Sequence, residues 1–418
     1  MTCKSMAASH VAGKGKADAS FSASAACSAA IAKYGKDKVV DATIGVINDE
    51  NGDFATFKTV EDVYRNLPAA ELMNYAPIPG LPDFRNGAIN FVFQGHQPKG
   101  TKTGAIASMG GTGSIYLALN NYVGKGEKFF IPKWCWGPYI EMGTELEKEA
   151  TLYEMFDENG NFTLDNLKAQ ITEALKTQDN ILTIFNTPAH NPSGYTMTDE
   201  DWKGVTDFYR ECAKDESKKM IVLWDMAYTE YAGTPDETRS FLKNFDDMPG
   251  NMMLLVAFSL SKTLLIYGMR AGALVAASTQ DDVIEEFERV VSFTTRAAYS
   301  NGGRGAQKMF ATIVGDPALK AKVDAEREEY RKMIANRAKI FLDEAKEVGL
   351  KPLPYKAGFF VEIPVNDPPA VQQELAKRNI FIICFGPGIR FCLSAVPTDK
   401  VPGLAKAAKE CIDIVDKK

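Results

Sequence analysis

Lys262 stands in the run S-L-S-K-T-L-L-I-Y-G-M-R (Ser259 to Arg270), directly after the apolar stretch Met252 to Phe258. A lysine at the end of a buried strand loses hydration of its charged form. Its pKa falls, and a neutral amine becomes available for imine chemistry with a carbonyl. Ser259, Ser261 and Arg270 supply hydroxyl and guanidinium donors suited to one end of a phosphate cradle. A small molecule that carries both an aldehyde and a phosphate, pyridoxal 5'-phosphate (PLP), would use all of them.

Other residues extend this chemistry. Met109-Gly-Gly-Thr-Gly-Ser114 precedes a helix-like stretch, where glycines let backbone N–H groups approach an anion at a helix N-terminus. No Gly-Lys-Ser/Thr follows, so this is not a nucleotide P-loop. Asp225 and Tyr228 lie in I-V-L-W-D-M-A-Y. A carboxylate ending such an apolar strand needs a cationic partner, and a protonated pyridine nitrogen is one. Tyr228 could donate to the ring oxygen, and so could Asn191 in T-P-A-H-N-P-S-G. Trp134 and Trp136, in P-K-W-C-W-G-P-Y, are competing candidates to stack on a flat ring. Arg390 presents two parallel donors suited to the α-carboxylate of an amino acid, and Arg296 could hold a second carboxylate.

The elements that must position these residues follow from the apolar pattern. Short Ile/Leu/Val runs predict strands at Phe129–Pro132, Thr151–Met155, Ile181–Asn186, Ile221–Trp224, Met253–Phe258 and Ala273–Ala276. Helix-like stretches lie between them at Ser114–Val123, Leu164–Thr177, Asp199–Ala213 and Asp281–Val291. Strands of continuous apolar character alternating with helices imply a mostly parallel sheet covered on both faces, with ligands at the carboxyl ends of its strands. The fold class is therefore α/β. A long charged helix at Ala318–Val348 leads into a smaller α+β domain. Strands are expected there at Phe359–Pro364, Ile380–Phe385 and Arg390–Val396, with helices at Ala370–Arg378 and at the C-terminus, and Val39–Val46 completing it. The expected organisation is an N-terminal arm and first part of the small domain (1–51), a large domain (52–329) and a small C-terminal domain (330–418).

A chain of 418 residues supports two domains. A net charge of −6 without a basic cluster argues against a nucleic-acid partner, and no apolar run is long enough to span a bilayer. Seven cysteines without a C-x-x-C pair, and three histidines, support neither a disulfide framework nor a metal site. Reduced thiols point to the cytoplasm. The Ala/Ser-rich stretch Ala17–Ala32 reads as a helical arm.

Taken in chain order, the Gly-rich turn, the tryptophans, Asn191, Asp225 with Tyr228, Lys262 with Arg270, and Arg390 resemble the PLP-dependent aminotransferases of fold type I, class I, in the aspartate and aromatic amino acid branch. The likeness runs from about Val39 to Val396. It is densest in T-I-G-V-I-N-D-E-N-G (Thr43–Gly52), N-Y-A-P-I-P-G-L-P-D-F (Asn74–Phe84), G-G-T-G-S, H-N-P-S-G, W-D-M-A-Y, S-L-S-K and R-A-A-Y-S-N (Arg296–Asn301). The resemblance implies that Lys262 joins PLP as an imine, that Asp225 pairs with the ring nitrogen, and that Asn191 and Tyr228 bond the ring oxygen. It favours Trp134 for stacking, and Gly110, Gly111, Thr112, Ser259 and Arg270 for the phosphate. It gives Tyr75 the phosphate of a second subunit, so that active sites are shared in a homodimer. Arg390, helped by the Gly45 backbone, would take the α-carboxylate, and Arg296 from the partner the side-chain carboxylate of aspartate or glutamate. The implied activity is ping-pong transamination between an L-amino acid and a 2-oxo acid such as 2-oxoglutarate. A PLP-dependent lyase or a non-catalytic PLP-fold binding protein are the alternatives. Two departures stand out. Gly137 lies near the place of a histidine that usually buttresses the ring-binding aspartate, and G-G-R-G replaces a Pro-Pro turn after Asn301.

Overall fold

The computed structural model describes residues 6–8, 10, 11, 14, 15 and 19–417. The Ala/Ser-rich stretch forms a helix, Ala19–Tyr34, which packs Cys27 and Ala30 against Val39 and Phe381. Ala17 lies outside the described residues.

After strand β1 (Val40–Asp41) come the strands of the large sheet: β2 (Lys102–Ser108), β3 (Lys128–Pro132), β4 (Glu149–Tyr153), β5 (Asn180–Asn186), β6 (Lys219–Asp225), β7 (Met252–Ser259) and β8 (Gly272–Ser278). They lie in the order β2-β8-β7-β6-β5-β3-β4. β8 runs antiparallel to both neighbours, and the other pairs are parallel. Every residue of β7 is buried, because side chains on both faces meet helices. One face packs Ile106, Ile131, Leu223 and Leu255 against the helices Gly110–Tyr122 and Asp281–Tyr299. The other packs Val222, Val256 and Phe258 against Phe91, Trp202 and Phe310. This double coverage is why the strands read as unbroken apolar runs.

The smaller unit contains β9 (Phe360–Pro364), β10 (Ile380–Phe381), β11 (Ile383–Phe385) and β12 (Gly388–Cys392). β11, β12 and β9 form an antiparallel sheet. β1 pairs in parallel with β10, Val40 opposite Ile380, so both chain ends build this unit.

The elements depart from expectation most clearly in four respects. β2, rich in Lys, Thr, Gly and Ala, carries little strand signal. Ile380–Phe385 is two strands because its halves pair with different partners. The strand from Arg390 ends at Cys392, where Leu393–Ala395 turns into a 3₁₀ helix. The expected boundary at 329/330 falls inside one continuous helix, Pro317–Glu347.

That helix serves both cores. Val323 and Ile334 pack into the large one, and Ala338, Phe341 and Ala345 into the small one. Its arginines fasten it at each end. Arg327 donates from Nε and Nη2 to the Thr263 carbonyl at 3.1 and 3.0 Å. Arg337, fully buried, donates to the carbonyls of Asn48 (3.0 Å), Ser394 (2.9 Å) and Asp49 (3.2 Å), and to Glu50 Oε2 (3.1 Å). Arg337→Met would leave several carbonyls without their donor. We expect a loss of about 2–3 kcal/mol, read as a lower urea midpoint at unchanged slope.

Candidate active site

Three neighbouring parallel strands end on polar residues: Asn186 on β5, Asp225 on β6 and Ser259 on β7. The crevice beyond them is where a sheet of this type binds ligands. Asn186, Asn191, Asp225, Tyr228, Ser259, Ser261, Lys262, Arg270, Gly111 and Thr112 line one pocket there, with Trp136 and Tyr139.

Lys262 sits in the short helical turn Leu260–Thr263 that follows β7. Its backbone is held because Tyr231 donates to the Lys262 carbonyl at 3.0 Å and Arg327 fixes the next residue. The Nζ lies between two aromatic rings, 5.6 Å from the centre of Tyr228 and 5.4 Å from that of Tyr267. Burial, then the neighbouring charge of Arg270, lowers its pKa to about 8, while Asp225 opposes the shift. A useful fraction of neutral amine is therefore present near neutral pH.

Asp225 is buried. Burial raises its pKa, and four groups oppose the rise: the Tyr139 hydroxyl, the Ala227 N–H, the charge of Lys262 and the Asn186 side chain. Tyr139 donates to Oδ2 at 2.5 Å and Ala227 N–H to Oδ1 at 3.1 Å. Asn186 fixes the strand ends by donating from Nδ2 to the Asp225 carbonyl (3.1 Å) while its Oδ1 accepts the Asn191 N–H (2.7 Å).

An anion cradle closes the other end of the pocket. The helix Gly110–Tyr122 begins without a side-chain cap, so its first N–H groups are open to a ligand. Gly110 has φ +72°, and a Cβ there would stand 2.9 Å from Arg270 Nη2. Arg270 itself takes a left-handed conformation, φ +49°. This is a strained choice for a side chain other than glycine and is typical of functional positions. It brings Nη1 to Ser261 Oγ and the Tyr267 carbonyl, both at 3.1 Å. Two hydroxyls, a guanidinium and an uncapped helix end form a donor set for a phosphate. A carboxylate and an amine lie deeper, beside an aromatic wall. The residues present fit PLP.

The tryptophan assignment is corrected. Trp134 is absent from the pocket wall and packs toward Gly388, where a Cβ would approach its ring to 3.1 Å. Trp136 lines the pocket and meets Tyr139 edge-on, ring centres 5.4 Å apart. The support for Asp225 shifts in the same way, from Gly137 to Tyr139. Both errors are one two-residue slip in the irregular turn between β3 and the helix Pro138–Glu145, where no periodicity tells W from W.

Arg390 is buried on β12, its guanidinium 4.1 Å from the ring centre of Phe360 and 4.7 Å from that of Phe385. Nη1 donates to Asn191 Oδ1 at 2.9 Å, and Nη2 to the Thr43 carbonyl at 3.1 Å. Gly45 lies against Phe360, with the Tyr228 hydroxyl 3.6 Å from where its Cβ would be. Tyr75 and Arg296 lie elsewhere. Tyr75 is 81% exposed, and Arg296 donates to Ser300 Oγ at 2.6 Å on the surface. Arg304 of the unusual G-G-R-G turn donates to Glu71 Oε2 (2.7 Å) and to the Tyr75 carbonyl (3.3 Å), tying the two segments together. Sequence reasoning missed Asn186, Tyr139, Tyr267 and Arg304. Only Asn186 carried a signal, as a polar residue ending an apolar strand.

A model of the aminotransferase class I and II family matches residues 38–407. The chain is 33% identical to an aminotransferase of Anaerococcus prevotii whose structure is solved, covering 98% of this chain and 100% of that one with a TM-score of 0.95. It is 27% identical to the cytoplasmic aspartate aminotransferase of Dictyostelium discoideum over 291 residues, 68% of this chain but 63% of the relative's length. The fold is shared, at 20% identity and TM-score 0.78 over 96% of this chain and 99% of the other, with an aromatic-amino-acid aminotransferase of Burkholderia pseudomallei solved covalently bound to pyridoxal phosphate. With its matched span and a pocket that fits the cofactor, this chain belongs to the class I and II aminotransferases, a PLP-dependent family.

Proposed function

We propose that the protein transfers an amino group reversibly between an L-amino acid and a 2-oxo acid, with aspartate or glutamate and 2-oxoglutarate as substrates and aromatic amino acids as a further class. The convergence of Lys262, Asp225, Tyr228 and Arg270 in one pocket, with Arg390 reaching its wall through Asn191, carries this reading.

Lys262 would hold the cofactor through its amine. Gly110, Gly111, Thr112, Ser259, Ser261 and Arg270 would take the phosphate, Asn191 and Tyr228 the ring oxygen, Asp225 the ring nitrogen, and Trp136 a face of the ring. Bound PLP supplies an electron sink for the charge left when a substrate loses its α-proton. Lys262, its pKa lowered by burial and Arg270, would accept that α-proton on its neutral amine and give it to the cofactor carbon that ends up bearing the amino group. Tyr139 and the Ala227 N–H bond the two Asp225 oxygens and oppose the upward pKa shift that burial imposes, favouring the charged form that a protonated ring nitrogen needs. Arg390 would exchange its bonds to Asn191 and Thr43 for the α-carboxylate of the substrate.

Tyr75 and Arg296 require a second copy of the chain. Met73 (83% exposed), Tyr75 and Phe293 (76% exposed, one turn from Arg296) are large apolar groups left in solvent, which supports a homodimer with shared sites. No helix among the described residues is long and apolar enough to cross a membrane, and the described cysteines are unpaired thiols, in keeping with a cytoplasmic enzyme.

The substrate class is tested by adding single amino acids to the PLP-loaded protein and following the cofactor spectrum. Aspartate and glutamate should convert it. Arg296→Leu should lower kcat/KM for them by roughly a hundredfold, about 3 kcal/mol, with aromatic substrates changed less than about tenfold. Equal losses for both classes would refute the dicarboxylate role of Arg296. Tyr139→Phe removes a donor that lowers the Asp225 pKa, so Asp225 protonates at higher pH. The acid limb of the rate profile should move upward, and PLP should bind roughly tenfold or more weakly. An unmoved limb would mean that Tyr139 only fills space.

A further inference from the structure

Glu362 on β9 stands directly opposite Arg390 on β12, so both side chains leave the same face of the small sheet. Glu362 is fully buried, and neither carboxyl oxygen has a hydrogen-bond partner. A buried, unpartnered carboxyl is costly, and its retention calls for a functional account. The surroundings are shaped to admit it. A Cβ on Gly388 would come within 2.4 Å of Glu362 Oε1, and the Trp134 ring closes the same spot from the large domain, 3.1 Å from that Cβ position.

Arg390 is equally buried, and its Nε is also without a partner. Its bonded and stacked neighbours, Asn191, the Thr43 carbonyl, Phe360 and Phe385, carry no negative charge. A buried guanidinium needs a counter-charge, and the carboxyl facing it across the strand pair is Glu362. Burial drives Glu362 well above the usual carboxylate range, and Arg390 is the charge that pulls it back. Burial, then the charges of Glu362 and Asp367, push the Cys384 thiol on β11 up to about 11, so it stays neutral. Around Arg390 the other ionisable groups are Cys392 and Tyr228, both raised by burial, and Lys262.

We propose that Glu362 is the proton-linked counter-charge of Arg390: above its titration in the free protein it is ionised while the guanidinium has no anion, and it takes up one proton when a substrate carboxylate docks there. The inference rests on the reading of Arg390 as the carboxylate anchor. In the exchange, the incoming carboxylate replaces Glu362 as counter-ion. A proton from solvent bonds to a Glu362 oxygen and returns to solvent when the product leaves; no electrons move. Without this transfer two anions would share one buried guanidinium. Glu362 thus acts through Arg390 as a positioning residue, and it makes carboxylate affinity fall as pH rises through its titration in the free protein.

The test is calorimetry of the PLP-loaded enzyme with succinate and with 3-phenylpropanoate, carboxylates that have no amino group to transfer, in buffers of different ionisation heat. Wild type should take up about one proton more than Glu362→Gln, and its affinity should weaken by up to about tenfold per pH unit relative to the variant. Proton exchange at Lys262 is common to both proteins, so the difference isolates position 362. Equal proton counts at every pH from about 6 to 9.5 would overturn the proposal. Failure of both acids to bind wild type would overturn the anchor reading itself, and this inference with it. If the variant does not fold, infrared difference spectra of ¹³C-glutamate-labelled wild type decide. A protonated-carboxyl band gained on adding succinate supports the coupling, and no gain overturns it.

Discussion

Asp225 and Lys262 share one pocket at the carboxyl ends of neighbouring parallel strands, and the cost of withdrawing two ionisable groups from water constrains what surrounds them. Neither is left to the other alone. The charged form of Asp225 is favoured by a phenol and a backbone N–H, against the effect of burial. Lys262 is pushed toward its neutral form by burial and by the guanidinium of Arg270. These adjustments favour an anion at one point of the pocket and a usable base at another. Parallel strands in register make this possible: Asn186 and Asp225 are paired residues on β5 and β6, so their side chains arrive at the same level of the sheet.

The same logic operates at larger scale. The sheet fixes Asp225 and Lys262, whereas Arg390 belongs to the small unit and meets the pocket through Asn191. One helix, Pro317–Glu347, connects the two parts, its Arg327 fastened behind Lys262 and its Arg337 to the 48–50 segment and Ser394. Binding of a substrate carboxylate would be felt on both sides of this connection. Opposite the active site, a broad groove at the amino-terminal ends of the strands, around Lys125, Glu127, Asp179 and Lys219, holds exposed ion pairs such as Lys125–Glu147. Screening makes these weak, and the groove brings together no set of groups comparable with the pocket.

Much of this was legible in the sequence because buried parallel strands leave a strong signature and polar residues at their ends stand out. Lys262, Asp225, Asn191 and the Gly110–Thr112 turn all follow an apolar run or open a helix, and the structure brings them together. The signal fails where geometry is irregular. Trp134 and Trp136 lie in a turn without periodicity, which neither tells the two rings apart nor points to Tyr139. β2 goes unpredicted as a whole because its Lys-Thr-Gly-Ala start has little preference for strands. Glu362 could not have been singled out, since its burial depends on pairing with a strand that ends thirty residues later in sequence. Tyr75 and Arg296 lie outside the pocket of a single chain, and only a likeness to known enzymes links them to it.

The central claim is that the amine of Lys262 carries the cofactor. Reducing the PLP-loaded protein with borohydride, digesting it and finding the modified peptide by mass spectrometry tests this most directly. A pyridoxyl mass on the peptide containing Lys262, absent from Lys262→Ala, is the predicted result. A label on any other lysine, or none on protein saturated with PLP, would contradict the account.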